Sequence, residues 1–341
     1  MKKTIIFSIA AVITFVIILL TNVMVYTYPN GITGLTKKTS TQGCYCHTQN
    51  TSITGVFSGP DTVYTGQTVN FSFTISRSGN GAGGVDIATR LGVLTAGPGS
   101  AYLKILSSEL THKSPLELSG GNYTGQFSYT APAIPGIDSL WLSQAVGYEN
   151  GWNYGTEKRI TVVNQPLGLN LTLGIEGFWN GSFQVEDTVK VYLTNSSSPY
   201  NTMDFRKVYL NSAGIASMYF NSAASGNYYI KIIHRNALQT WCSSPVSFTG
   251  GSVTNYNFST AQTQAYGSNQ LLNIGKWCFY SGDTNQDGVI DLSDGSDVDN
   301  DAYNFESGYI ETDVNGDGVV DLTDAAFVDN NAYNFVGVIM P

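Results

Sequence analysis

The sequence predicts a mainly β protein, two β-sandwiches in series followed by a small α module. Three observations carry this. Charged residues make up only 12% of the chain, whereas Gly (37 residues) and aromatic residues (12%) are abundant. That balance suits Gly-rich turns and half-buried aromatic faces, and it is poor in the Glu, Lys and Arg of helical bundles. Apolar and polar residues alternate over short runs separated by Gly and Pro. Finally, Asp283–Phe305 returns in register as Asp313–Phe335, an internal repeat.

Taken in order, residues 1–27 read as an export signal or retained N-terminal anchor. Lys2 and Lys3 precede an apolar run, Ile5 to Leu20, broken only by Ser8 and Thr14. Ile5 to Tyr26 is long enough to span a bilayer, so any membrane attachment is expected through this segment alone. An exported chain is therefore expected in the periplasm, at the cell surface or outside the cell. Residues 28–54 are punctuated by Pro29, Gly31, Gly34 and Gly43 and show no period, so something must hold them in place.

Residues 55–165 supply the first sandwich. Val69, Phe71, Phe73 and Ile75 share one face, and Phe127 with Tyr129, then Ile160 with Val162, continue the alternation. Gly79–Gly84, Gly97-Pro98-Gly99, Gly120-Gly121 and Pro135-Gly136 read as separators, and the spacing predicts an antiparallel sandwich of the immunoglobulin-like type. Residues 166–260 form a second, Greek-key sandwich with alternation at Val189-x-Val191-x-Leu193, Val208-x-Leu210 and Met218-x-Phe220. Its run Ser225–Asn236 resembles the late strand of carboxypeptidase-regulatory or transthyretin-like modules, a resemblance that implies a scaffolding role. Residues 261–281 connect to the final module, 282–341.

The net charge of −9 is unevenly spread. Fourteen Asp and Glu and no Lys or Arg lie between Asp283 and Pro341, leaving eleven acidic against sixteen basic residues elsewhere. No basic run suits nucleic acid. Within the repeat, Asp283, Asn285, Asp287, Val289 (through its carbonyl), Asp291 and Asp294 fall at positions 1, 3, 5, 7, 9 and 12 of a calcium loop. Asp313, Asn315, Asp317, Val319, Asp321 and Asp324 repeat the set, with Gly288 and Gly318 at the sharp turn. Two Ca2+ ions are expected. The spacing and the Asp at position 12 resemble the type I dockerin repeat, which implies a cohesin-like partner. The helices after these loops depart from that pattern, lacking the Leu and Lys/Arg positions of cohesin readers.

The most concentrated reactive chemistry is Gly43-Cys44-Tyr45-Cys46-His47. It resembles the c-type haem attachment site Cys-x-x-Cys-His with one spacer residue fewer; in such a site two thiols bond the haem vinyls and the His binds iron. A disulfide between Cys44 and Cys46, pairing of either with Cys242 or Cys278, or a soft metal held with His47 are the alternatives. Gly31-Ile-Thr-Gly34, Thr36-Lys-Lys-Thr39, the Cys-x-Cys-His and Glu109-Leu-Thr-His112-Lys-Ser-Pro115 together resemble the Reeler-like choice-of-anchor domain of secreted bacterial proteins, over roughly residues 28–163. That resemblance favours haem. Of the two remaining histidines, His112, in a turn-like segment, is the candidate distal ligand, while His234 falls in a strand of the second sandwich and reads as structural. Cys242 and Cys278, each after a Trp, are expected to form a disulfide. No Ser/His/Asp motif or isolated carboxylate pair indicates an enzyme. The expected function is an exported, single-haem electron-transfer protein with a redox partner. The alternative is a structural or adhesive surface protein that contacts neighbouring subunits and has disulfides and a docking or capping C-terminal module.

Overall fold

The structure, a computed structural model, describes residues 28–39, 43–44, 47–97, 100–147 and 151–341. The expected export segment, Tyr45 and Cys46 lie outside the described residues. Among those described, no helix is long and apolar enough to cross a membrane. The described residues are mainly β, with several sheets and two α-helices, and the chain divides into two compact units at Val163/Asn164.

In the first unit a four-stranded sheet runs in the order Thr54–Ser58, Thr68–Ser76, Asn122–Thr130, Val93–Thr95. It faces a larger sheet ordered Thr62–Tyr64, Lys158–Val163, Gly136–Val146, Gly81–Thr89, Glu109–His112, Leu103–Leu106. Period-2 alternation puts Phe71, Phe73, Ile75, Phe127 and Tyr129 of one sheet against Val85, Ile87, Leu140, Leu142, Ile160 and Val162 of the other, all buried. The Phe71 and Phe127 rings stack at 5.9 Å.

A polar hub closes one end of this core. The buried Asp138 carboxylate accepts from Tyr129 Oη (2.7 Å), Thr89 Oγ1 (3.0 Å) and the Leu91 and Gly92 backbone N–H groups. Burial pushes its carboxyl up, but the hydrogen bonds from Tyr129, Ser139, Gly92 and Leu91 outweigh this and hold it below the usual range.

The second unit packs a three-stranded sheet (Ile215–Phe220, Leu167–Thr172, Val253–Asn257) on a five-stranded one. The larger sheet runs Thr202–Leu210, Asp187–Asn195, Gly226–Ile233, Thr240–Trp241, with Val246–Phe248 pairing beside the third strand. Helices Leu292–Tyr303 and Leu322–Tyr333 follow. They do not form a separate bead. Leu238, from the sandwich, sits in the helical module's core with Ile290, Val298, Val314, Val328 and Val336. Asn331 Nδ2 donates to the Glu176 carboxylate (2.7 Å) and the Ser281 carbonyl (2.8 Å). Arg235 bridges Asp187 (2.9 Å) and Asp313 (3.3 Å), and also donates to the Ile310 carbonyl.

Tyr129→Phe is expected to cost about 1.5–3 kcal/mol, because it removes a donor from a buried carboxylate. Since the Asp138 pKa is depressed in the fold, its contribution is present above the unfolded value near 4 and is lost as pH falls below it. Urea unfolding near neutral pH should show the loss, and the gap between the two proteins should shrink in acid. An unchanged midpoint at neutral pH would rule the hub out as a stabilising element.

Candidate functional site

Residues 28–39 lie over the larger sheet of the first unit, held there by hydrogen bonds. Gly34 N–H donates to Glu109 Oε2 (2.6 Å) and Leu35 N–H to Asp86 Oδ2 (2.8 Å), leaving Leu35 and Thr36 buried. Gly31, at φ +83°, packs so closely on Thr111 and the His112 carbonyl that a Cβ would collide with both; Gly43 stands likewise against the Trp152 ring. Trp152 is paired to the chain in turn: its carbonyl accepts from Asn50 N–H at 2.8 Å.

Between segment and sheet is a cavity of about 330 Å3, within the range of small-molecule sites. Tyr28, Pro29, Ile32 and Leu35 give it apolar walls; Cys44, His47 and His112 all line it, and Arg77 and Asn80 contribute polar groups. Three of the four expected haem residues therefore meet at one cavity, although His112 lies far from the other two in sequence. The fourth, Cys46, is outside the described residues.

The floor corrects part of the reading of Gly79–Gly84 as a separator, from Gly81 to Gly84. These residues are the first half of strand Gly81–Thr89. Small residues inside a strand mark a place where something approaches the backbone closely. Here that is the His112 ring, which occupies the space where a Gly84 side chain would project.

His112 also departs from expectation. It ends strand Glu109–His112, rather than lying in a turn, and is 7% exposed. Its Nδ1 accepts from Val85 N–H (3.1 Å), which leaves Nε2–H to donate to the Tyr28 carbonyl (3.2 Å). Burial holds its pKa below the usual value, so the ring is neutral and suited to ligation. To bind iron, Nε2 would have to release Tyr28.

Sequence reasoning missed the acids beneath this site. Asp86 is buried, and burial together with the Glu109 charge pushes its pKa up to about 8. Among the described residues Asp86 Oδ1, Thr36 Oγ1 and both Gln144 side-chain polar atoms are buried without hydrogen-bond partners, and Asp86 and Gln144 line the cavity. Unpaired buried polar groups are costly, and they point to a polar or charged occupant or to water. The only sequence signal for Asp86 was a single acid in an otherwise small and apolar run.

In the acidic repeat, Asn and Asp side chains close turns within the loops. Asn285 Oδ1 accepts from Asp287 N–H, Asp287 Oδ1 from Val289 N–H, and Asp313 Oδ1 from Gly316 N–H. Asp291 and Asp321 cap the two helices, with Asp294 and Asp324 completing capping boxes. The donors are hard oxygens, as calcium requires. However, among the described residues no three His, Cys, Asp or Glu side chains converge in metal-holding geometry. The position-12 carboxylates are turned onto the loop itself: Asp294 Oδ1 accepts from Thr284 and Asn285 N–H, and Asp324 Oδ1 from Val314 and Asn315 N–H. Burial pushes Asp283 up to about 6 and raises Asp313 and Asp324.

The expected Cys242–Cys278 disulfide is not formed; both are buried thiols. Each sulfur has its own surroundings. Cys242 Sγ accepts from Ile230 N–H (3.0 Å), whereas Cys278 Sγ packs over Gly174, where a Cβ would clash with it. Burial pushes both thiols up to about 12, so neither is a reactive thiolate. His234 is buried and donates from Nε2 to Asp187 at 3.2 Å, a structural position.

No family model matches the chain, and no curated protein matches it. Solved structures overlap parts of it. A CARDB domain from Pyrococcus furiosus shares 12% identity over 33% of this chain and 94% of its own, at a TM-score of 0.21. Native alpha-2-macroglobulin from Escherichia coli, from domain MG7 to the C-terminus, shares 14% over 42% of this chain and 23% of its own, at 0.24. A family 123 glycoside hydrolase from Clostridium perfringens shares 11% over 38% and 31%, at 0.22. At TM-scores this low the overlaps bear on neither family nor function.

The raised Asp86 pKa carries a sign. The unfolded chain releases this proton near pH 3.8, whereas the fold retains it to about pH 8. Stability therefore falls as pH rises across that window. Asp86→Asn is expected to flatten the slope and raise stability at pH 8 by about 1 kcal/mol or more. Unfolding midpoints at acid and alkaline pH would check this, and parallel slopes for the two proteins would refute it.

Proposed function

We propose that this chain is an exported electron-transfer protein carrying one c-type haem in the cavity of its first sandwich, with a calcium-binding C-terminal module that stiffens the second. The observation that supports the haem reading is the meeting of Cys44, His47 and His112 at one cavity. Cys44, with Cys46, would hold the macrocycle through thioethers, and His47 would be the proximal ligand. His112, a neutral ring, would serve as the distal donor once Nε2 releases the Tyr28 carbonyl. Arg77 and Asn80 offer partners for the haem carboxylates, and Gly81–Gly84 line the same cavity without side chains that would obstruct it, Ala82 apart. Bound there, haem would supply a one-electron redox centre, and a redox partner is implied.

The protein from its native host should show a Soret band that survives denaturation and acid-acetone extraction; its absence would sink the haem reading. His112→Ala should shift the visible bands while leaving the attachment intact, and an identical spectrum would remove His112 from the iron.

Calcium is proposed on donor chemistry and register. Filling both loops would neutralise carboxylates that otherwise repel. A chelator is expected to lower the melting temperature of the second unit by several degrees, roughly the effect of 1–2 kcal/mol. An unmoved transition would argue against occupied loops.

The structural or adhesive reading has one observation of its own. The helical module exposes Tyr303, Phe305, Tyr333 and Phe335, which no core of this chain uses.

A further inference from the structure

The two repeats expose the same residues. Leu292, Tyr303 and Phe305 have counterparts in Leu322, Tyr333 and Phe335, and Phe305 and Phe335 are 89% and 91% exposed. Both phenylalanines follow a helix end in left-handed backbone, at φ +56° and +53°. Glycine is the usual residue there. Each repeat thus places a large apolar ring in water at a position where the backbone disfavours it. Tyr303, Phe305, Val319 and Leu322 line a groove of about 380 Å3 together with Asp299 and Asp321, so the face is apolar and acidic at once.

A complementary face lies on the second sandwich. Thr202–Leu210 is the outermost strand of its sheet and exposes Met203, Phe205, Lys207 and Tyr209. Phe205 stacks on Tyr192 at 5.5 Å, and Lys231 Nζ lies 4.5 Å from the Tyr192 ring centre. Lys190 and Lys207 stand directly opposite each other in the ladder, both exposed. Like charges in that relation repel. Neither is in an ion pair among the described residues, and the nearby acids are engaged: Asp204 by Arg206, Glu186 by Tyr209 Oη. An edge strand with exposed rings and an uncompensated lysine pair suits an anionic, aromatic partner.

We infer that copies of this chain associate head to tail, the acidic aromatic face of the C-terminal module of one copy docking on the lysine-aromatic sheet face of the next. The charge complementarity selects this occupant: the chain from Asp283 onward carries fourteen acidic residues and no basic one. Because the two faces differ, the contact is heterologous and builds a ring or an open filament rather than a closed two-fold dimer.

Sedimentation velocity of the full chain with calcium present tests this. In low salt the wild type should form larger species as concentration rises, and high salt should return it to monomer. Lys190→Glu/Lys207→Glu and Phe305→Ser/Phe335→Ser should each weaken association about tenfold or more. Mixed together they should form a complex that stops at two chains, since each retains one intact face. A wild type that stays monomeric at every concentration overturns the inference, whatever anionic polymer the lysine face takes up instead. So does a variant that assembles like the wild type. If the phenylalanine variant fails to fold, the lysine variant, altered only at two exposed side chains, decides the question alone.

Discussion

The first unit depends on two buried carboxylates receiving two backbone N–H groups. Asp86 and Glu109 take the amides of Leu35 and Gly34, and through them fix a segment that has no secondary structure of its own. Without that fastening Cys44 and His47 would not face the wall that holds His112. A single irregular strand crossing an exposed sheet face buries too little apolar surface to offset its ordering entropy. The two backbone N–H donors, to the Glu109 carboxylate and to the proton-retaining Asp86, add to what that burial supplies.

The second unit uses the same device with different residues. Burial alone would push Asp187 up, but contacts from His234, Tyr309 and Arg235 hold it well below the usual carboxylate range. His234 is itself held below its usual value by burial, and therefore donates to Asp187 as a neutral ring. Arg235 then reaches across to Asp313, the first residue of the second acidic loop. The Arg235 guanidinium also lies 4.6 Å from the Tyr309 ring centre and 5.3 Å from that of Phe178. One network thus joins sandwich to loop, and the state of the loop bears on the sandwich.

The sandwich strands were legible because alternation at Phe71, Phe73 and Ile75, or at Val189, Val191 and Leu193, is a direct consequence of strand geometry. The repeat was legible because a twelve-residue loop places its donors at fixed positions. Gly81–Gly84 was not, since glycines read as turn signals unless the long-range neighbour that needs the space is known. The partnership of Asp86 with Glu109 was equally hidden: the two meet only because antiparallel strands bring Gly81–Thr89 beside Glu109–His112. The cysteine pairing failed for a related reason, because an even count says nothing of where each side chain points.

The cavity's energetics connect these points. An acid with a pKa raised to about 8, an Asp86 oxygen and a Gln144 amide unpaired among the described residues are costs the first unit bears at this cavity. A core built for stability alone would have replaced them with apolar side chains. Asp86 contributes by fastening the segment, but Gln144 makes no such contact, and its unpaired amide lines the same cavity as Cys44, His47 and His112. Water or a polar occupant of the cavity would pair the Gln144 amide and the free Asp86 oxygen, whereas the carboxylates of the acidic loops are already paired within their own loops.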